Sequence, residues 1–554
     1  MSTLPSDRTS FLLRSSRPYL ILLAVSALVY GKTLWFGFTY FDDDTLILNQ
    51  SEKLQHLSMV WEAFPSFFLD AYYRPIVTLS LILDAHIGGV APWIYHSSNL
   101  VYHVLVCWML LYLLRRLSVP PLPAMLACLF FCVHPVVTQA VVWIPGRNDT
   151  LVVLFLLLTL VAHINYRESG KWYWLLAHWL CAAVALLIKE TALIFPGLIL
   201  LYHFAFVRGE WNSRKLAMSA CGWVFIIIGW YVLKESVTAE GAAHVQLISP
   251  GALVTNLRVP LEAFGKLVLP LQMSPYPTYS LLPTTAGIIA MAAFGLLIVR
   301  RWNKEDRLPV FAIAWMVLLL LPGLFFHIDD NEKRFDYLES RWYGVAIGFA
   351  VLIAGLLSEG RPKSIRFSVK IMAMLLAVLG VLTFIYSDTY SDPFTHWSRA
   401  VDMSPKTSNA FYKMGMVVNY VARDPARAVG WYQQAIRLDP NIPFYHNNLG
   451  VAYGQQGLPS RAKEEYQAAV NLDSTYLSAY GNLGYSEYLS GNFDLAEKHW
   501  NHILAIDSAF PDVEFKLAQL YVIRKKYPEA RHHIRKLRAR GITLDSLLTS
   551  VPDE

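Results

Sequence analysis

The sequence predicts an all-α protein in two parts, a polytopic membrane helical bundle followed by a tetratricopeptide-repeat α-solenoid. Two observations carry this. Apolar segments long enough to cross hydrocarbon recur from near the N-terminus to about Tyr386. Beyond about Ser387 the chain turns polar, and residues return every 34 positions: Gly450, Gly484 and Ala518; Ala462, Ala496 and Ala530; Asp439, Asp473 and Asp507. The 55% hydrophobic content and the mean hydropathy of +0.37 exclude an ordinary soluble enzyme, the more so because the polar C-terminal part dilutes both values. The expected domains are residues 1–386 for the bundle and 387–545 for the repeats.

The spans fall near 18–34, 97–114, 121–142, 150–166, 172–188, 191–207, 216–233, 283–299, 308–326, 341–357 and 367–386, about eleven in all. Pro260 and Pro270 interrupt the pattern of 256–272, which reads as a helix lying at the interface; Pro75 to Ile87 is a second such stretch. Arg8, Arg14 and Arg17 precede the first span, and no small-residue cleavage site follows it, so it reads as a retained helix. Basic residues fall on alternate loops: Arg115-Arg116, Arg167 with Lys171, Arg208 with Arg214-Lys215, Arg300-Arg301 with Lys304 and Arg307, then Arg361, Lys363, Arg366 and Lys370. With the N-terminus inside, the odd number of spans puts everything after Tyr386 outside the cytoplasm. The net charge of +6 forms no basic stripe, so nucleic acid is not expected. The five cysteines lie in apolar segments without a CxxC, which indicates neither a disulfide framework nor a zinc site.

The outer ends of the spans carry the chemistry. Asp42, Asp43 and Asp44 follow the first span, where charge beside hydrocarbon calls for a functional reason. Tyr73-Arg74-Pro75 comes next, then His96, Asn99 and His103 on one helix face. His134-Pro135, Gly146-Arg147 with Asn148-Asp149, Lys189-Glu190, and Tyr337 to Tyr343 with Glu339 and Arg341 complete the set. On this topology Asp42 to Asp44, Arg74, His134, Arg147, Lys189 and Arg341 share one membrane face. An acidic group among several cations suits an acceptor hydroxyl beside a phosphate. The bland alternatives are a solvated acidic loop, and inter-helix hydrogen bonding by the histidine stripe.

Phe41-Asp42-Asp43 with Leu46-Ile47-Leu48-Asn49, Tyr73-Arg74-Pro75, His134-Pro135-Val136, Gly146-Arg147, Lys189-Glu190-Thr191 and Glu339-x-Arg341-x-Tyr343 stand in the order of a known family. Together with the repeats they resemble the transmembrane-and-tetratricopeptide-repeat (TMTC-like) glycosyltransferases of the GT-C superfamily. Gln139 departs from the Glu common there, and Asn148-Asp149 from the usual Ala-Asp or Ala-Glu. The resemblance implies a GT-C fold and inverting transfer of a sugar, often mannose, from a polyprenyl-phosphate donor to Ser or Thr hydroxyls of a protein. It makes Asp42 and Asp43 the presumed catalytic pair. One of them takes the hydroxyl proton, an effect worth about 10²–10⁴ in rate.

Arg341, with Arg74 or Lys189, would hold the lipid phosphate, and a guanidinium can do so bidentately. Asp44, Tyr73, His96, Asn99, His134, Arg147, Asp149, Glu190 and Glu339 complete the expected substrate-binding set. No cofactor is required. Three carboxylates could hold Mg²⁺ or Mn²⁺, but the cationic surroundings argue against a metal. The short repeat array favours a bacterial plasma membrane with the repeats in the periplasm, the endoplasmic reticulum with lumenal repeats being the alternative. The repeats would dock the acceptor protein on a concave surface. The rivals are a non-enzymatic membrane-anchored repeat scaffold and a transferase acting on a lipid or polysaccharide.

Overall fold

The computed structural model describes residues 16–66, 68–69, 72–207, 213–238, 254, 256–301, 307–325, 338–358, 362–507, 510–542 and 551. Arg8, Arg14, Arg208, Lys304, Tyr337 and Arg361 lie outside them, as do the side chains of Arg301, Lys363 and Arg366. The chain divides into two compact units, Met1–Ser404 and Pro405–Glu554. The helix Pro393–Met403 falls in the first unit.

All eleven expected spans are helical. Among the described residues seven helices are long and apolar enough to cross a membrane: Arg17–Trp35, Pro92–Arg116, Ile144–Ser169, Arg214–Val237, Leu281–Arg300, Glu339–Ser358 and Val369–Tyr390. Pro121–Val133 and Pro135–Val142 together are long and apolar enough for an eighth, bent by 54° as in a broken span or a re-entrant loop. Pro135 causes the bend: it removes an N–H and forces the residue before it out of the helical region, so His134 is extended at φ −78°, ψ 129°. Trp172–Ile188, Glu190–Phe206 and Leu308–Leu324 are shorter. Between the first two of these, Lys189 is extended at φ −159°, ψ 136°, which stops the helix and turns Lys189 and Glu190 inward.

In chain order the helices of the first unit are α1 (Arg17–Tyr30), α2 (Pro75–Gly88), α3 (Pro92–Arg116), α4 (Pro121–Val133), α5 (Thr138–Val142), α6 (Arg147–Ser169), α7 (Trp172–Ile188) and α8 (Phe195–Phe206). They continue with α9 (Ser213–Thr238), α10 (Val259–Val268), α11 (Leu281–Arg301), α12 (Leu308–Leu324), α13 (Tyr343–Ser358), α14 (Pro362–Ser387) and α15 (Pro393–Met403). The two stretches read as interfacial are helices α2 and α10; α10 lies so close to α11 that a Cβ on Gly265 would meet the Pro283 carbonyl oxygen at 1.9 Å.

The second unit repeats one helix pair. Pro443–Gln455 pairs with Pro459–Leu472, Leu477–Leu489 with Phe493–Ile506, and Pro511–Ile523 with Tyr527–Ala539. Ser408–Met416 and Pro425–Leu438 make an earlier pair. Gly415, Gly450 and Gly484 admit the rings of Tyr432, Tyr466 and Trp500, where a Cβ would come within 2.7, 2.6 and 2.4 Å. The 34-residue spacing is thus the spacing of an aromatic ring against a bare backbone.

Candidate active site

The acidic loop, Phe36 to Asp43, is built around Phe41. Its carbonyl accepts from Trp143 Nε1–H at 2.7 Å, and its ring stacks on the Trp143 ring at 4.8 Å. His396 and Trp397 of α15 close over it at 5.5 and 5.4 Å, with Tyr276 at 6.2 Å. Trp397 also donates to the Thr39 carbonyl at 3.2 Å, and Gly37 N–H to the Ser391 carbonyl at 2.8 Å. Burial holds the His396 imidazole down to about 3, so it packs as a neutral ring.

The three aspartates separate. Asp43 is 1% exposed and does not face water. Its Oδ2 accepts from the Thr39 N–H at 2.7 Å and the Thr39 hydroxyl at 2.9 Å, and its Oδ1 from the Phe41 N–H at 3.2 Å. Burial pushes its carboxyl up to about 7, opposed by the Thr39 hydrogen bonds and reinforced by the Asp44 and Asp42 charges. Asp42 and Asp44 are half-buried. Asp42 holds a left-handed backbone at φ +69°, two residues after Tyr40 at φ +55°. Such conformations cost about 1–3 kcal/mol each outside glycine and collect at functional sites.

A second centre surrounds a cavity of about 690 Å³ lined by the charged side chains of Asp149, Lys189, Glu190, Lys234 and Arg341 and by apolar ones that include Val152, Leu156, Leu193, Trp230, Leu320 and Phe325. Three cations and two carboxylates leave one net positive charge among those five side chains. Lys189 donates to Asp149 at 2.5 Å and to Asn148 at 3.3 Å. Arg74 makes a two-pronged pair with Glu190 at 2.8 and 3.3 Å and lies over the Tyr72 ring at 4.1 Å. Tyr73 is buried beside it, its hydroxyl without a hydrogen bond.

The remaining expected residues brace the bundle between these centres. Arg147, fully buried, pairs with Asp84 at 2.7 Å and donates to the Tyr95 carbonyl at 3.0 Å and the Ser80 hydroxyl at 3.2 Å. Asn99 donates to the Trp143 and Ile144 carbonyls, and His96 Nε2 lies 3.3 Å from the Gly37 carbonyl. His134 accepts from the Val136 N–H through Nδ1, so Nε2 carries the proton and donates to the Leu267 carbonyl at 3.0 Å. Glu339 is wholly buried, paired with Lys266 at 2.7 Å and accepting from the Tyr386 hydroxyl at 2.9 Å. Gln139 bridges the Pro275 carbonyl and the Ser340 N–H.

The expected single cluster is therefore an acidic loop, a charged cavity lining and a bracing layer. Seven residues, Trp143 to Asp149, connect the first two: Trp143 holds Phe41, and Asp149 lines the cavity. Sequence reasoning missed Asp84, Lys234 and Lys266. A lone charge inside an apolar stretch was the available signal for Asp84 and Lys266.

Residues 89–232 match the dolichyl-phosphate-mannose-protein mannosyltransferase family, and residues 426–457 and 445–476 match tetratricopeptide-repeat families. Fold and matches together define the class: an all-helical chain with apolar helices of membrane-spanning length, a segment like those mannosyltransferases, and a tetratricopeptide-repeat solenoid. Within that class the chain is similar to the TMTC protein O-mannosyl-transferases. Mouse TMTC3 is 21% identical over 489 residues, covering 78% of this chain and 52% of its own length. Mouse TMTC2 is 30% identical over 203 residues, covering 34% and 24%. The chain thus spans between a quarter and about half of the curated relatives it matches. Among solved structures, ArnT from Cupriavidus metallidurans bound to undecaprenyl phosphate aligns at a TM-score of 0.42 and 14% identity, covering 83% of this chain and 80% of ArnT.

Proposed function

We propose that the protein transfers a sugar from a polyprenyl-phosphate donor to a Ser or Thr hydroxyl of a protein acceptor at the extracytoplasmic face. The observation that carries this reading is the cavity, whose lining combines apolar side chains suited to an isoprenoid chain with the cations Lys189, Arg341 and Lys234 suited to a phosphate. The names of the mannosyltransferase relatives support mannose as the sugar. The stretch from Trp143 to Asp149 links the acidic loop to the cavity lining.

Of the two aspartates, Asp42 is the better base. Asp43 spends both oxygens on the turn, whereas Asp42 is partly open and is held in the costly left-handed conformation. In the step proposed, the acceptor oxygen attacks the anomeric carbon, the bond from that carbon to the phosphate oxygen breaks, and Asp42 takes the hydroxyl proton. The phosphate leaves as an anion and needs no acid. The cations of the cavity lining hold its charge. A divalent ion is not needed in this step.

Asp42→Asn keeps the shape and removes the basicity, so transfer should fall by about 10²–10⁴ while the protein still inserts. Comparing the glycoproteome of a strain lacking the protein with one carrying Asp42→Asn tests this directly. Loss of a hexose-sized mass from Ser or Thr peptides in both strains is the expected result. Near-normal modification in the Asp42→Asn strain would move the base elsewhere, and loss of a lipid or polysaccharide sugar instead would replace the protein acceptor.

A further inference from the structure

Below the acidic loop, the bundle core gathers two thiols and an imidazole that the transfer chemistry does not use. His103 and Cys107 lie one turn apart on α3, and Cys132 comes from the last turn of α4; all three are fully buried. One donor atom from each falls within 4.8 Å of the other two. His103 Nε2 faces Cys107 Sγ at 3.7 Å. Ligand atoms on a tetrahedral zinc, bound at 2.0–2.3 Å, stand about 3.5–3.8 Å apart, so this spacing is that of a metal shell. His103 Nδ1 lies 2.8 Å from the Tyr343 hydroxyl, the second-nitrogen contact that orients a metal-binding imidazole. The Tyr30 hydroxyl provides a second, independent observation. It is fully buried, and its ring stands 5.3 Å from that of His103.

We propose that His103, Cys107 and Cys132 bind a zinc ion, with the Tyr30 hydroxyl filling the fourth position. Binding releases the two thiol protons, so Zn²⁺ with two thiolates and two neutral ligands is a neutral unit. Neutrality is what a site inside hydrocarbon requires, because a net charge there is expensive. The soft sulfurs exclude Mg²⁺ and Ca²⁺. Monovalent copper on two thiolates would leave a negative charge. The ion ties α1, α3 and α4 together, with Tyr343 adding α13 through the imidazole.

Full-length protein without a histidine tag, reduced in detergent and given Zn²⁺ alone, is expected to retain about one zinc per chain through gel filtration. Co²⁺ in its place should give thiolate-to-metal charge-transfer bands and the visible bands of a tetrahedral site. Cys107→Ala with Cys132→Ala should abolish both signals, and Cys181→Ala with Cys221→Ala should leave them. If the first double variant does not fold, thiol labelling of the unmutated protein decides. Zn²⁺ should protect two cysteines that a chelator re-exposes. Failure of the reduced unmutated protein to retain zinc, absence of such protection, or bands that survive Cys107→Ala with Cys132→Ala, overturns the proposal.

Discussion

Asp43 is a carboxylate spent on its own loop. Three hydrogen bonds favour its charged form, yet burial outweighs them and raises it from an ordinary value of 3.8 to about 7. An acid raised on folding binds its proton more tightly in the native state than in the unfolded chain. Stability from this group is therefore full below about pH 4 and is lost as pH rises toward about 7, by up to roughly 4 kcal/mol. Thermal unfolding in detergent across that window should show the slope in the unmutated protein and lose it in Asp43→Asn. An equal slope in both would assign it to another group. Asp42, one residue away, is indistinguishable from Asp43 in the sequence. What separates them is the Thr39 hydroxyl and the sign of φ, which only the folded loop reveals. Arg147 stands out by its place at a span end, but its partner Asp84 lies 63 residues earlier, a distance no local pattern spans.

At the scale of elements, α15 acts as a clamp on the acidic loop. Trp397 is fully buried, and its contacts with Phe41 and Thr39 are what α15 contributes there. Trp397→Ala should cost about 3–5 kcal/mol of packing. Hydrogen exchange should speed up across residues 37–43 while lipid-phosphate binding in the cavity is unchanged. Unaltered exchange in that loop would show that Trp143 holds it alone. The helices are legible in the sequence because their spans follow from composition, and even the break at His134-Pro135 is written in a dipeptide. The clamp is not legible. Trp397 falls within 387–545, which reads as the repeat part, and nothing in that pattern says which neighbour it covers.

For the whole molecule, the repeats fit acceptor selection, since they carry a regular stack able to hold an extended chain. Docking there would raise the local concentration of acceptor hydroxyls to about the mM range. Deleting residues 408–554 should leave donor binding intact and raise the KM for a protein acceptor, with a short acceptor peptide affected much less. A normal KM for the protein acceptor would make the repeats a spacer. A reporter active only in the cytoplasm, fused after Glu554, should stay dark if the repeats lie outside; a bright signal would mean that a span was miscounted. The 34-residue period makes this unit legible in the sequence, because three of its four helix pairs offer a bare glycine backbone to a ring. The clamp has one more consequence, which concerns time. The bond from Trp397 to Thr39 joins residues 358 positions apart. A ribosome adding about 5–20 residues per second needs roughly 20–70 seconds to travel that far. The acidic loop is made 358 residues before the tryptophan that clamps it, so it closes only when α15 has followed. Until then a nascent chain already in the membrane carries an unclamped acidic loop.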